Sequence, residues 1–172
     1  MYCEPTKLDY DLSTFLGFEY PEPSTCIKHQ VREDKDLHEE MGGFPKTYKW
    51  ENTIIRQKWW TEEEHDFEAI GNSLGMEVVT LSSILQPPGS TVPWHHDQFF
   101  LLKKKFPDRP QPVRALMMLE DWKLGHFLQF GDDVFHHWKA GDGYIIDDEV
   151  RHLGTNAGMQ DKYTLQVSGF LK

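Results

Sequence analysis

From Glu77 to the C-terminus the chain is a succession of short β-like runs broken by turn residues, and nothing else in the sequence restricts its fold so strongly. EVVTLSSIL (77–85) gives way to QPPGS, and TVPWHHDQFFLL (91–102) follows. VRALMMLE (113–120) leads into DWKLG, HFLQFG (126–131) into DD, and VFHHW (134–138) into KAGD, before GYIID (143–147) and a final YTLQVSGFL (163–171). With KTYKWENTIIRQKWW (46–60), dense in aromatic and β-branched residues, this makes about eight strands. The expected fold is mainly β with a few N-terminal helices (α+β), an all-β sandwich or small barrel with jelly-roll winding.

The rest of the chain reads as support. Residues 1–45 are rich in Pro, Glu, Asp and Lys with weak periodicity, an irregular segment with at most short helices. TEEEHDFEAIGNSLG (61–75) reads as a helix, with Thr61 as cap, Glu64 completing a capping box and Gly75 as terminator. Phe67, Ile70 and Leu74 recur at helical spacing and predict one buried stripe. At 172 residues one domain is expected, with 1–75 supporting a core over 77–172.

Composition excludes some classes of partner. The formal charge of −10 argues against general affinity for a nucleic-acid backbone. KKKFPDRP (103–110) and Arg114 form a basic island in this acidic chain, read as a solvated loop that borders the pocket mouth if it has a role at all. Cys3 and Cys26 are far apart and form no metal-binding or redox pair. The start MYCEPTKLDYDL has no basic stretch followed by an apolar core, and no apolar run is long enough to span a membrane. These features predict a soluble cytoplasmic protein.

The densest chemistry lies in WHHD (94–97). On an extended strand residues i and i+2 share a face, about 6.5–7 Å apart, so His95 and Asp97 are expected to look one way and His96 the other. A third ligand must come from elsewhere, and His152 in EVRHLGTN, just after GYIID, is the best donor. Two histidines and one carboxylate on one face of an octahedral ion leave positions open for substrate and oxygen, which suits non-haem iron(II). On the last strand Lys162 and Thr164 share a face with Gln166 and Ser168, while Tyr163, Leu165 and Val167 share the other. A cationic head beside a hydroxyl can hold a carboxylate; an ordinary surface lysine on an exposed final strand is the alternative.

HHD (95–97), RHLGTN (151–156) and KYT (162–164) together resemble the iron(II)/2-oxoglutarate-dependent dioxygenases, whose fold is a double-stranded β-helix of the jelly-roll, cupin-like type. PPGSTVPWHHD and KAGDGYIID are similar to the turns that lead into the first and the distal ligand strands. The resemblance covers about residues 77–172. It implies that His95, Asp97 and His152 bind Fe(II), that Lys162 pairs with the distal carboxylate of the cosubstrate 2-oxoglutarate, and that Thr164 hydrogen-bonds to it. Asn156 would lie near the cosubstrate, and Arg114 would add a second positive charge there or form a structural ion pair. The commonest member has arginine where this chain has Lys162, a bidentate fork in place of a point charge. The implied reaction consumes O2 and hydroxylates a peptide or protein side chain or a small metabolite.

Two rivals stay open. One is a cupin-like metal-dependent dioxygenase that does not use 2-oxoglutarate; the other is a non-enzymatic β-sandwich binding module with structural histidines. Trp94, Phe99 and Phe100 would wall a metal site against water, or serve simply as core. The pair His136 and His137, His126 (near a pocket entrance), and His29, His38 and His65 (exposed or helical) are not expected to take part in the chemistry.

Overall fold

The computed structural model describes residues 2–21, 35–40, 42 and 55–172. Among these residues ten strands build two antiparallel sheets. They are β1 (Cys3–Lys7), β2 (Arg56–Trp60), β3 (Met76–Gln86), β4 (Thr91–His95), β5 (Val113–Met118), β6 (His126–Phe130), β7 (Asp133–Phe135), β8 (Asp142–Ile146), β9 (His152–Asn156) and β10 (Lys162–Leu171). The larger sheet runs β1-β8-β5-β10-β3-β2 and the smaller β4-β9-β6-β7. From β3 onward the chain passes between the two sheets, which is the winding of a double-stranded β-helix.

Alternation along the strands divides the apolar residues between two cores. On β5, Val113, Ala115 and Met117 face outward and join Ile70, Leu74, Phe15, Leu165 and Val167 beneath the N-terminal elements. Leu116 and Met118, from the same strand, point between the sheets and pack with Leu128, Phe130 and Ile146. Strand β10 is therefore buried on both faces. Tyr163, Leu165 and Val167 go to the outer core, and Lys162, Thr164 and Ser168 are enclosed on the inner side. The final strand is not an exposed one.

Four local expectations are corrected. Strand β4 ends at His95, where it pairs with His152, and Phe100–Lys105 form a helix (α3) instead of continuing the strand through 102. The basic island is therefore partly helical. The helix expected over 61–75 is α2, Phe67–Leu74, capped by Asp66, whose side chain accepts from the Ala69 N–H. Thr61 and Glu64 still bond to each other (Thr61 N–H to Glu64 Oε2, 3.0 Å), but they close a turn ahead of the helix. Gly75 ends α2 in the left-handed conformation (φ 67°), as read from sequence.

The N-terminal segment holds β1, which pairs with β8 in register Cys3↔Ile146 to Lys7↔Asp142. Pro5 is tolerated there because β1 is an edge strand. Residues 12–15 form a 3-10 turn that buries Phe15, and α1 spans Lys35–Glu40. Of the strand expected over 46–60, only β2 falls within the described residues, as do neither Cys26 nor His29.

Candidate metal centre and the cavity beside it

His95 is the last residue of β4 and His152 the first of β9. Direct pairing of the two strands sets the rings side by side, centroids 4.1 Å apart. Asp97 reaches the same point from the loop beyond β4, not by strand alternation. One ligand atom from each of His95, Asp97 and His152 lies within 4.8 Å of the others, and all three side chains are buried.

Hydrogen bonds fix which atoms converge. The His95 Nδ1–H donates to the Pro93 carbonyl (2.7 Å) and the His152 Nδ1–H to the Val150 carbonyl (3.0 Å). A carbonyl only accepts, so each Nδ1 carries a proton and Nε2 is the ring atom left to face a metal. The His152 Nε2 stands 3.7 Å from Asp97 Oδ2.

Asp97 is the informative residue. Arg114, on β5, donates from Nη1 to Asp97 Oδ1 at 2.6 Å. Arg114 is itself held by its Nε–H bond to Ser168 Oγ (3.0 Å) on the paired position of β10, and its guanidinium lies over the Phe99 ring at 5.2 Å. The other oxygen, Oδ2, is buried with no hydrogen-bond partner among the described residues. Burial pushes the carboxyl pKa up, and Arg114 with the two imidazoles more than offsets that, so the group stays below the usual carboxylate range. Burial also pushes His152 down, further than Asp97 raises it, which keeps the imidazole neutral. Two imidazole nitrogens and a carboxylate oxygen with no hydrogen-bond partner among the described residues are a donor set suited to a divalent cation. The residues fit an iron(II) ion. Arg114 is thus an ion-pair partner of Asp97.

Lys162 opens β10 and is enclosed on the same inner side. Its Nζ donates to the carbonyls of Phe127 and Thr155, both at 3.2 Å, and burial lowers its pKa to about 7. Gly154 makes room for it: a Cβ there would stand 3.3 Å from Nζ and 2.9 Å from Leu128 Cδ2. Gly154 lies two residues beyond His152 on β9, so the ammonium sits roughly 7 Å along the strand from the histidine. Thr164 is buried on the same face of β10. Asn156 is differently employed: its Nδ2 donates to the carbonyls of Gln86 (2.9 Å) and Gln160 (2.7 Å), and its Oδ1 accepts from the Gly158 N–H. That network ties the turn after β9 and engages both Nδ2 hydrogens.

A cavity of about 500 Å³ opens against Asp97 and Arg114, bounded by Gln57 and Trp59 of β2, Gln166 of β10 and Phe99. Phe100 also lines it, and Trp94 does not. His96, half-buried, shares this cavity with Asp97, because strand alternation ends at His95. A larger cleft of about 740 Å³ lies elsewhere, among Glu62, Glu63, Glu68 and Lys172, and contains none of the three converging residues.

The remaining histidines divide by environment. His136 and His137 are exposed and touch each other. His126 is buried, with Nε2 against the Gln160 carbonyl (2.9 Å). His65 is neither exposed nor helical; it is stacked on Phe15 (4.1 Å) and set edge-on to Trp60. Sequence reasoning missed Gln86, whose Nε2 donates to the carbonyls of Ser90 and Gly154 and so ties the start of β4 to β9. A glutamine at a strand end carries no signal of such a role.

No protein-family model and no curated protein matches the sequence. Solved structures do. A Pseudomonas putida prolyl-4-hydroxylase superposes with a TM-score of 0.55 at 17% identity, over 99% of this chain and 93% of the other. A viral collagen prolyl hydroxylase from Paramecium Bursaria Chlorella virus-1, in complex with 2-oxoglutarate, gives 0.56 at 12%, over 99% and 97%. A non-haem α-ketoglutarate-dependent epimerase of nogalamycin biosynthesis gives 0.51 at 11%, over 86% and 74%. The likeness is one of fold. Among the described residues no helix is long and apolar enough to cross a membrane.

Proposed function

We propose that this chain is an Fe(II)/2-oxoglutarate-dependent oxygenase that hydroxylates a peptide or protein side chain or a small metabolite. The observation that carries the reading is the buried Asp97 Oδ2, without a hydrogen-bond partner among the described residues, at the meeting point of two buried imidazoles. Iron(II) bound there supplies activation of O2, coupled to decarboxylation of 2-oxoglutarate to succinate and CO2, for insertion of one oxygen atom into a substrate C–H bond.

The chain's own part is binding, orientation and exclusion of water. His95 and His152 are held in the ligating tautomer by their Nδ1–H bonds to main-chain carbonyls. Arg114 occupies Asp97 Oδ1, so the carboxylate would offer Oδ2 to the ion. Lys162, buried with only carbonyl acceptors, would receive the distal carboxylate of the cosubstrate, with the Thr164 side chain on the same face. A buried ammonium without an anion is destabilising, and a dicarboxylate spanning from the metal to Lys162 relieves it. Two of the solved structures of this fold are named prolyl hydroxylases, which is in keeping with a polypeptide substrate.

The test is anaerobic titration with Fe(II), or calorimetry with Mn(II), followed by addition of 2-oxoglutarate. One ion per chain is expected, lost in Asp97→Ala, with 2-oxoglutarate binding lost in Lys162→Ala while the ion is retained. No stoichiometric ion would overturn the metal centre. Bound iron that never yields succinate would leave a metalloprotein without the cosubstrate.

A further inference from the structure

Resting on that reading, we infer that the cavity beside Asp97 recognises an uncharged, apolar side chain, presented by a polypeptide segment that lies across the rim formed by Trp59, Phe100 and Leu101. Two cations of the basic island are engaged away from this cavity. Lys103 pairs with Asp148, and Arg109 pairs with Glu77 while its guanidinium lies over Phe170. Lys103 and Arg109 line a separate cleft with Pro107 and Gln111. Within the cavity the charged side chains among the described residues are Asp97 and Arg114, which neutralise each other at 2.6 Å. A charged substrate group entering it would lose hydration and find these two side chains already paired with each other.

The apolar character is concentrated at the mouth. Seven large hydrophobic residues are exposed among the described residues, and three of them, Trp59 (58%), Phe100 (58%) and Leu101 (80%), gather on this one cavity. Scattered exposed apolar residues are ordinary; a cluster rimming a pocket marks a binding surface. The backbone is bent to create it. Phe99 holds φ 52°, a left-handed conformation uncommon for an aromatic residue, and α3 starts directly after it. That turn buries the Phe99 ring under Arg114 and leaves Phe100 and Leu101 outside.

The rim stands in solvent beyond the cavity, so a ligand that covers it must extend past what the cavity encloses. Gln57, Gln98 and Gln166 line the same space, with the Gln57 Nε2 donating to Ser82 Oγ (2.9 Å) and to Gln166 Oε1 (3.4 Å). Carboxamides offer a donor and an acceptor each, the complement of a peptide main chain. An apolar pocket, an exposed apolar rim and neutral amides between them suit a polypeptide segment with an uncharged side chain at the reacting position.

The test is selection of a random dodecapeptide library displayed on RNA against the Mn(II)- and 2-oxoglutarate-loaded protein, with recovered peptides measured by fluorescence anisotropy. Motifs with an uncharged apolar residue at one fixed position are expected, and Leu101→Glu and Phe100→Ser should weaken them at least tenfold. Both substitutions are at exposed positions, and their Mn(II) and 2-oxoglutarate titrations should match the parent. A fixed acidic or basic residue, motifs indifferent to both rim variants, or no recovered motif overturns the inference. So does rim-dependent binding of indole or cyclohexanol without any peptide motif, which would assign the pocket to a small apolar molecule. Failure of the metal and 2-oxoglutarate titrations themselves would count against the oxygenase reading, and is scored separately from peptide binding.

Discussion

Lys162 and Arg114 are both inward cations, and their surroundings assign them opposite tasks. Lys162 has no anion partner among its hydrogen bonds, and its pKa is lowered to about 7. Between pH 7 and the ordinary lysine pKa the unfolded chain binds a proton that the folded chain does not, so stability of the unliganded protein rises with pH across that window and is flat below it. An anion that needs the ammonium shows the reverse trend: 2-oxoglutarate affinity should fall about tenfold per pH unit above 7, while Mn(II) affinity does not follow. Lys162→Met should abolish both trends, remain at least as stable as the parent near pH 7, and lose the cosubstrate. Isothermal titration at pH 6.5, 7.5 and 8.5 reads this, and a pH-independent 2-oxoglutarate affinity would remove Lys162 from the site. Arg114, by contrast, compensates a buried carboxylate. Arg114→Met leaves Asp97 enclosed without its cation, at a cost of about 3–5 kcal/mol in urea unfolding of the metal-free protein. A divalent ion supplies the missing charge, so Mn(II) should raise the melting temperature of this variant by more than that of the parent. Equal increments would mean the guanidinium does not bear on the metal-binding oxygen.

Among the elements, legibility follows how local the determining contacts are. Strand β9 went unread, with Leu153 the one large apolar side chain of HLGTN, but the other strands from β3 onward were readable because alternation and turn residues are written in adjacent positions. Gly75 was readable for the same reason, since only a residue without Cβ adopts φ 67° freely after Leu74. Gly75→Ala should destabilise by about 1–2 kcal/mol, seen as a lower urea midpoint with unchanged slope; no change would show that α2 tolerates another terminator. The capping box failed as a start signal because Asp66 competes for the same task from five residues further on and wins the Ala69 N–H. The end of β4 was not legible either. FFLL reads equally as strand or helix when four apolar residues stand together, and what decides is that β9 offers β4 no pairing partner past His152. Strand β1 escaped notice because Pro5 and Glu4 argue against a central strand, and its edge position is a property of β8's exposed side, not of its own sequence.

For the molecule as a whole, the three converging residues were visible in the sequence, but the reason they meet was not. It lies in the jelly-roll winding that sets β4 beside β9 across an interval of 57 residues, with Asp97 then drawn in by an arginine on the opposite sheet. The unoccupied valence of Asp97 Oδ2 makes that arrangement a thermodynamic link between metal and fold. An ion that binds the folded chain and not the unfolded one stabilises it by RT ln(1 + [L]/Kd), about 2.7 kcal/mol at a hundredfold excess over Kd. For a chain of this size that is a rise in melting temperature of roughly 5–10 °C. Because His95 and His152 belong to the smaller sheet and the carboxylate to the loop beyond it, the added stability should be uneven. Amide exchange should slow most along β4, β9 and residues 96–98, and least along β1, whose partner β8 carries no ligand. His152→Ala should erase both the thermal shift and the local protection while leaving the parent's exchange pattern in β1 and β8. Protection spread evenly over both sheets, or a thermal shift that survives His152→Ala, would mean that the ion binds somewhere other than between these strands.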